Sequence, residues 1–413
     1  MKRSALLIAP FIGFTALLLG GCGGGSSSSA PTICTALVPQ AVPRGHGYLV
    51  PATTVERASD RGKRFHTNYL ISIRDTSGPC GTPDGYSPSQ LRTAYEIPAN
   101  SGSGAIAIVD AYDYPTSLAD FNAFSAQFGL PTEPSTNPTG ANNDVFEVVY
   151  ASGAKPAPDG GWSQEMALDT QWAHAMAPRA KIYLVEAASD ATTDLMAAVN
   201  VAKLLPGVRE VSMSSGGAEY ATVYTTYDSY FVQSGVTFFA AAGDIANQVD
   251  FPAASQNVVS VGGTSLNINA SGVWLSETAW SDTSCGPSLY EPRPTFQNAV
   301  ANLVGNFRGV ADIAADADPN TGVSVFDSYG FPNNPGGWQV FGGTSAATPI
   351  MAGIANASGS TPASSQAEDT KLYAEIGSAH FHDISSGAAG HYAAGAGWDF
   401  PTGVGTPEGV GGF

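Results

Sequence analysis

The chain has 413 residues, 43% of them hydrophobic and only 13% charged, enough to bury the core of one large domain with a smaller segment beside it. A formal net charge of −18 excludes nucleic acid as a partner, because a phosphate backbone needs a basic face. The scarcity of Lys and Arg, 17 against 35 acids, also suits acidic surroundings, where protonated carboxyls no longer balance fixed positive charge.

In chain order, Lys2 and Arg3 precede an apolar stretch from Leu6 to Leu19, and Leu19-Gly20-Gly21-Cys22 closes it with small residues, so residues 1–22 read as a signal peptide. The ending resembles a bacterial lipoprotein signal, which implies an exported chain held at the cell envelope by lipid on Cys22. Gly23 after that cysteine resembles the sorting signal for the outer membrane. Residues 23–85 read as a Gly/Ser tether and a short leader, proline-punctuated and without strong periodicity. A reduced inhibitor, a spacer and a stalk are all open to that leader. With Cys22 lipidated, Cys34, Cys80 and Cys285 allow at most one intramolecular disulfide, and the sequence leaves its pairing open.

The main domain is expected over 86–413. Ala105-Ile106-Ala107-Ile108-Val109-Asp110 is a continuous apolar run ending in an acid, the pattern of a central parallel strand. Helical spacing over Leu118–Phe128 is followed by a strand at Val145–Tyr150, a helix at Trp162–Met176 and a strand at Lys181–Glu186. Asp194–Leu204 reads as a helix, Val208–Ser212 as a strand, Tyr220–Gln233 as a helix, and Val236–Ala241 and Val258–Val261 as strands. Such alternation predicts an α/β fold, a mostly parallel central sheet with helices on both faces, whose active groups gather at the carboxyl ends of the strands. After residue 19 no apolar run is long enough to span a membrane.

Three stretches carry chemistry. Phe341-Gly342-Gly343-Thr344-Ser345-Ala346-Ala347-Thr348-Pro349 sets one serine at a strand-to-helix junction, among unpaired N–H groups and the positive end of the helix dipole. Pro349 is expected in the first turn of that helix, where proline is tolerated. Ser345 needs a base, and none of the six histidines stands in a His-Gly-Thr-His setting. Glu165 and Asp169, spaced i, i+4 on an otherwise nearly uncharged helix, offer a partly buried pair that would share a proton. Asp244 ends the apolar strand Phe238–Ala242, and a protonated carboxyl there could donate to an oxyanion.

Together, in this order, the three motifs resemble the sedolisin family of serine-carboxyl peptidases, over roughly residues 86–405. The resemblance implies a subtilisin-like fold and an acid-acting endopeptidase with Ser345 as nucleophile, Glu165 as base, Asp169 as its partner and Asp244 as oxyanion stabiliser. It further implies one structural Ca2+ held by Asp383 and Asp399 with the carbonyls of Ile384, Gly395 and Gly397, hard oxygen donors as calcium requires. Ser212-Met213-Ser214-Ser215-Gly216-Gly217 would line the cleft and pair with a polypeptide substrate as an added strand. The expected partners are a polypeptide and a membrane reached through Cys22, with the protein a monomer.

Asp110 and Asp113 follow the first strand and read as structural, as do Asp312, Asp316 and Asp318. A catalytically silent peptide-binding lipoprotein on the same scaffold is the alternative from another class; four intact site residues argue against it. An esterase is disfavoured because no Gly-x-Ser-x-Gly elbow surrounds Ser345.

Overall fold

The computed structural model describes residues 42–44, 47–72, 82–330 and 337–413. The signal peptide, Cys22, the tether, Cys34 and Cys80 lie outside the described residues, whereas Cys285 is buried and unpaired. Among the described residues no helix is long and apolar enough to cross a membrane.

Ala105–Ala111 is buried at every position, as a strand covered on both faces must be. It lies inside an eight-stranded sheet whose spatial order is Trp274–Ala279, Val259–Ile268, Thr237–Ala241, Val208–Met213, Ala105–Ala111, Lys181–Ala187 and Phe146–Tyr150, with Ile313–Asp316 also on Val259–Ile268. Only Trp274–Ala279 pairs antiparallel, so the expected mostly parallel α/β sheet is what forms. Asp110, Ser212 and Asp244 accordingly fall at carboxyl ends of neighbouring strands.

Helix Gly160–Met176 starts on Asp159, whose carboxylate accepts from Gly161 N and Trp162 N, and is buried without interruption from Trp162 onward. Helix Thr344–Ser358 packs along it, and Gly353 is what lets the two approach. A Cβ there would lie 2.6 Å from Met176 Cβ and 2.9 Å from Ala173 O. That contact fixes the serine-bearing helix against the helix carrying Glu165 and Asp169.

Two expectations need correction. Pro349 is the sixth residue of its helix, beyond the first turn; the Ser345 carbonyl that it leaves without an N–H accepts instead from Ser214 Oγ at 3.4 Å, and the helix runs on to Ser358. Tyr220–Gln233 is not one helix but two short pieces, Val223–Tyr227 and Asp228–Phe231, in keeping with a run of Tyr and Thr that are poor helix formers.

A second sheet has the order Val42–Arg44, Tyr48–Val50, Leu70–Ser72, Trp338–Gly342 and Val323–Phe326, every pairing antiparallel. Three of its strands come from residues read in the sequence as leader. Leu70–Ser72 lies against Trp338–Gly342, the strand that delivers Ser345.

Candidate active site

The site begins at Gly343, whose φ of +97° favours glycine and turns the chain from strand into helix. A Cβ there would stand 2.1 Å from Asn68 O and 2.6 Å from Asp244 Oδ2, so only a bare Cα fits between them. The next two residues are fixed by their neighbours. Thr344 N and Oγ1 both donate to Asp244 Oδ1 at 2.8 Å, and Thr344 Oγ1 accepts from Gly243 N at 3.1 Å. Ser345 is fully buried; its Oγ donates to Ser214 O at 3.1 Å and accepts from Asn68 N at 3.1 Å, while its own N–H donates to Asn68 O at 3.0 Å.

Asp244 therefore has one oxygen saturated by Thr344 and the other, Oδ2, buried and without a partner beside Gly343. Burial pushes its pKa up to about 8 against the opposing pull of Thr344, with Asp282 and Asp250 adding to the rise. A carboxyl held protonated, with its bonded oxygen fixed, presents its proton from Oδ2. Asp244→Ala is expected to lower kcat by ~10^2–10^3. Asp244→Asn keeps Oδ1 on Thr344 and sets an amide N–H where Oδ2 was, so it should retain much of the rate and remove whatever part of the loss of rate with rising pH comes from ionising this carboxyl. A kcat–pH profile of the two variants checks both statements.

Glu165 and Asp169 are fully buried and none of their four oxygens has a hydrogen-bond partner. Burial raises Glu165 well above the usual carboxylate range, Asp169 and Asp110 raise it further, and the Ser345 hydroxyl is the neighbour that favours its charged form. Asp169 is raised by burial and then by Asp110, opposed by Ser214. Asp110 also has both oxygens buried and unpartnered. The pair read from the sequence is thus a cluster of three carboxyls. Its third member, Asp110, reads as structural in the sequence for want of a matching histidine, and the sheet brings its strand end to the helix that carries Glu165.

The substrate-lining strand expected near Ser212–Gly217 is present as Ser215–Ala218, and it already has a strand on it. His66 pairs with Gly216 and Thr67 with Ser215, antiparallel, and Asn68 Nδ2 donates to Ser214 O at 3.0 Å. No motif marked these residues; a short β-prone run, Tyr69-Leu70-Ile71, was the available signal.

The other acids find protein partners. Lys155 lies 3.2 Å from Asp113. Asp312 forms a buried bidentate pair with Arg308 and accepts from Tyr373 Oη at 2.8 Å, which supplies its positive charge from within the chain. Asp316 accepts from Leu266 N and Thr321 Oγ1, and Asp318 from Ser265 Oγ and Asn320 N. At the C-terminus, Asp399 accepts from Gly395 N at 2.9 Å and from both Thr402 N and Oγ1, and Asp383 accepts from Gly397 N at 3.0 Å. Burial, with the Asp383 charge adding, pushes Asp399 up to about 6. Among the described residues no group of three or more His, Cys, Asp or Glu is gathered to hold a metal by side chains alone.

A serine at the start of a small-residue helix, on a mostly parallel sheet, is the arrangement of the subtilases, and the Subtilase family model matches residues 158–374. The chain is 33% identical over 369 residues to kumamolisin from a Bacillus species and 26% identical over 367 residues to sedolisin from a Pseudomonas species. Each match covers 79% of this chain, and the chain spans 63% and 60% of those relatives' lengths. A solved structure of Pseudomonas sedolisin, a serine-carboxyl proteinase complexed with two molecules of pseudo-iodotyrostatin, superposes with a TM-score of 0.66 at 27% identity, covering 79% of this chain and 96% of that one. This chain belongs to the subtilase family and, within it, to the sedolisin family.

Proposed function

We propose that the protein is an acid-acting serine-carboxyl endopeptidase. Ser345 attacks the peptide carbonyl, Glu165 takes its proton and returns it to the leaving amine, Asp169 orients Glu165, and Asp244 with Ser345 N–H stabilises the oxyanion. The observation that carries this reading is the Ser345 N–H donated to a peptide carbonyl, that of Asn68, with the unpartnered Asp244 Oδ2 on the same side of Gly343, beside a buried and proton-sharing Glu165–Asp169 pair. Asp110 adds a third carboxyl that keeps the shared proton on Asp169, which leaves Glu165 ionised to act as the base.

The test is hydrolysis of a denatured protein by the leader-free chain from acid to neutral pH. Activity confined to acid supports the assignment. Inertness at every pH would transfer the fold to peptide binding without catalysis, the alternative that a filled cleft favours.

Calcium belongs to the same proposal. Asp399 ends the loop 395–399 and has its proton affinity raised by burial and by the charge of Asp383, and with the carbonyls of Ile384, Gly395 and Gly397 the two acids form the all-oxygen donor set that a hard dication takes. Bound there, calcium would cancel that repulsion and fix the loops. Saturating Ca2+ is expected to raise unfolding free energy by about 2–4 kcal/mol over chelated protein, a gain lost in Asp399→Asn. Calorimetry with and without chelator reads it.

Residues 1–22 act as a lipoprotein signal, residues 23–85 as tether and leader, and 86–413 as the peptidase domain. Export with lipid on Cys22 holds the enzyme at the outer membrane. Loss of fatty-acid labelling in Cys22→Ser checks this.

A further inference from the structure

We propose that the face formed by the basic loop 57–64 and the apolar bulge at Leu289 and Tyr290 docks on an anionic phospholipid bilayer. Nothing in this docking depends on the chemistry of Ser345.

Basic side chains are scarce in this chain, 17 against 35 acids, yet Arg57, Arg61, Lys63 and Arg64 fall within eight residues and all are exposed. Asp60, the one acid among them, is half-buried. The loop is held in shape. Asp60 N donates to Arg57 O at 2.8 Å, and Lys63 N and Arg64 N donate to Asp60 O at 2.8 and 2.9 Å. Gly62 turns against the Tyr220 ring, where a Cβ would lie 3.2 Å from Cε1. Arg64 is tied to Asp190, whereas the Arg57 and Lys63 side chains form no hydrogen bond or ion pair among the described residues. On a chain of net charge −18, most faces repel an anionic surface and this one attracts it, which selects one orientation.

The apolar half lies on the ribbon Gly286–Pro292 and Phe307–Val310. Leu289 is 69% exposed and Tyr290 is exposed beside it, where the register of the ribbon shifts between Pro287 and Pro292. Phe307, opposite Pro292, is exposed as well. From residue 283 to residue 311 the one acid is Glu291, and it is buried, so no exposed carboxylate interrupts this surface.

Glu219 joins the two halves. Arg61 Nη2 donates to its carbonyl, while Leu289 N, Ser288 Oγ and Tyr224 Oη each donate to its carboxylate at 2.6 Å. That buried carboxylate is thereby engaged within the fold, and Arg61 and Leu289 are left on one hollow of about 460 Å³, with Val249, Pro287 and Tyr392 also lining it. Cations beside leucine and tyrosine match the level of a bilayer at which phosphates meet acyl chains. An acidic polymer in solution would use the charges and leave Leu289 in water; an apolar protein would bury Leu289 and leave the charges unpaired. Glu219 directly follows Ser215–Ala218, the strand that lines the cleft, so docking would set the cleft beside the membrane.

The experiment uses the chain from Gly23, which contains every described residue, made without lipid and with Ser345→Ala so that it stays whole. Co-sedimentation at neutral pH compares vesicles of phosphatidylglycerol and phosphatidylethanolamine with vesicles of phosphatidylcholine. Binding is expected to the anionic vesicles, to fall about fivefold in each of Arg57→Gln and Lys63→Gln, and to weaken steeply as salt rises from ~0.1 to ~0.5 M. Leu289→Gln should lower it about tenfold at an unchanged melting midpoint. Equal binding to phosphatidylcholine, or no vesicle binding at all, would overturn the proposal. Losses in the charge variants with none in Leu289→Gln would reduce the face to a phosphate contact and overturn bilayer docking. A dimer abolished by Leu289→Gln, formed without vesicle binding, would assign the face to a second copy of the chain instead.

Discussion

Ser345→Ala is expected to reduce kcat on a denatured protein by ~10^6, to the level left by binding and the oxyanion donors. Glu165→Gln should approach the same floor, and the double variant should be no worse than either, because nucleophile and base act as one unit. The geometry makes both substitutions clean. Ser345 Oγ bonds only to Ser214 O and Asn68 N, so its removal leaves Thr344, Asp244 and the Asn68 carbonyl in place. Glu165 makes no hydrogen bond that an amide would break, and an uncharged side chain in that buried place removes a repelling neighbour of Asp169. Melting midpoints should hold or rise while activity disappears. Retention of more than about one per cent of the rate in Ser345→Ala would move the nucleophile elsewhere.

Thermal stability is expected to fall as pH rises from 4 to 8, the reverse of an ordinary acid-labile protein. Burial pushes Glu186, Glu210 and Asp244 each up to about 8. In the unfolded chain such groups titrate near ~4. Between those values the folded chain holds protons that the unfolded chain has released, so unfolding becomes easier as pH increases. Each group contributes about 1.4 kcal/mol per pH unit across the window, fully stabilising below ~4 and exhausted above about 8. His174, pushed down to about 4, opposes this as pH falls below its usual range, but it is one group against three. Scanning calorimetry should show the midpoint dropping by roughly 5–10 °C per unit between pH 5 and 7. Glu210→Gln should flatten the slope while preserving the Asn356 contact through its carbonyl oxygen. A midpoint that rises over that range would mean these carboxyls are ionised in the fold.

What the sequence made legible was whatever is encoded locally. The apolar run at Ala105 and the helix containing Glu165 are periodic over many residues, and the structure returns them as Ala105–Ala111 and Gly160–Met176. Ser345, Glu165, Asp169 and Asp244 were findable because each sits in a stretch whose turn or spacing is unusual. Asn68 was not, since its significance comes from two ladders, to Ser215–Gly216 and Phe341–Gly342, whose partners are more than a hundred residues away. Asp110 reads as structural because no histidine stands where it could partner one. A buried carboxylate at a strand end says nothing of which helix covers it. Pro349 is tolerated for a reason no local rule contains, the hydroxyl of Ser214 between the strands Val208–Met213 and Ser215–Ala218.

The strand in the cleft is also a blueprint for a chemical probe. Its residues Phe65-His66-Thr67-Asn68, carried on a short peptide and ended in an aldehyde, would offer Ser345 an electrophile where the Asn68 carbonyl now accepts its N–H. The resulting hemiacetal oxygen would lie against Asp244, so occupancy should fade as that carboxyl loses its proton near pH 8. Such a compound competes with the protein's own backbone, and the concentration needed to label Ser345 would report how firmly the native strand holds its place.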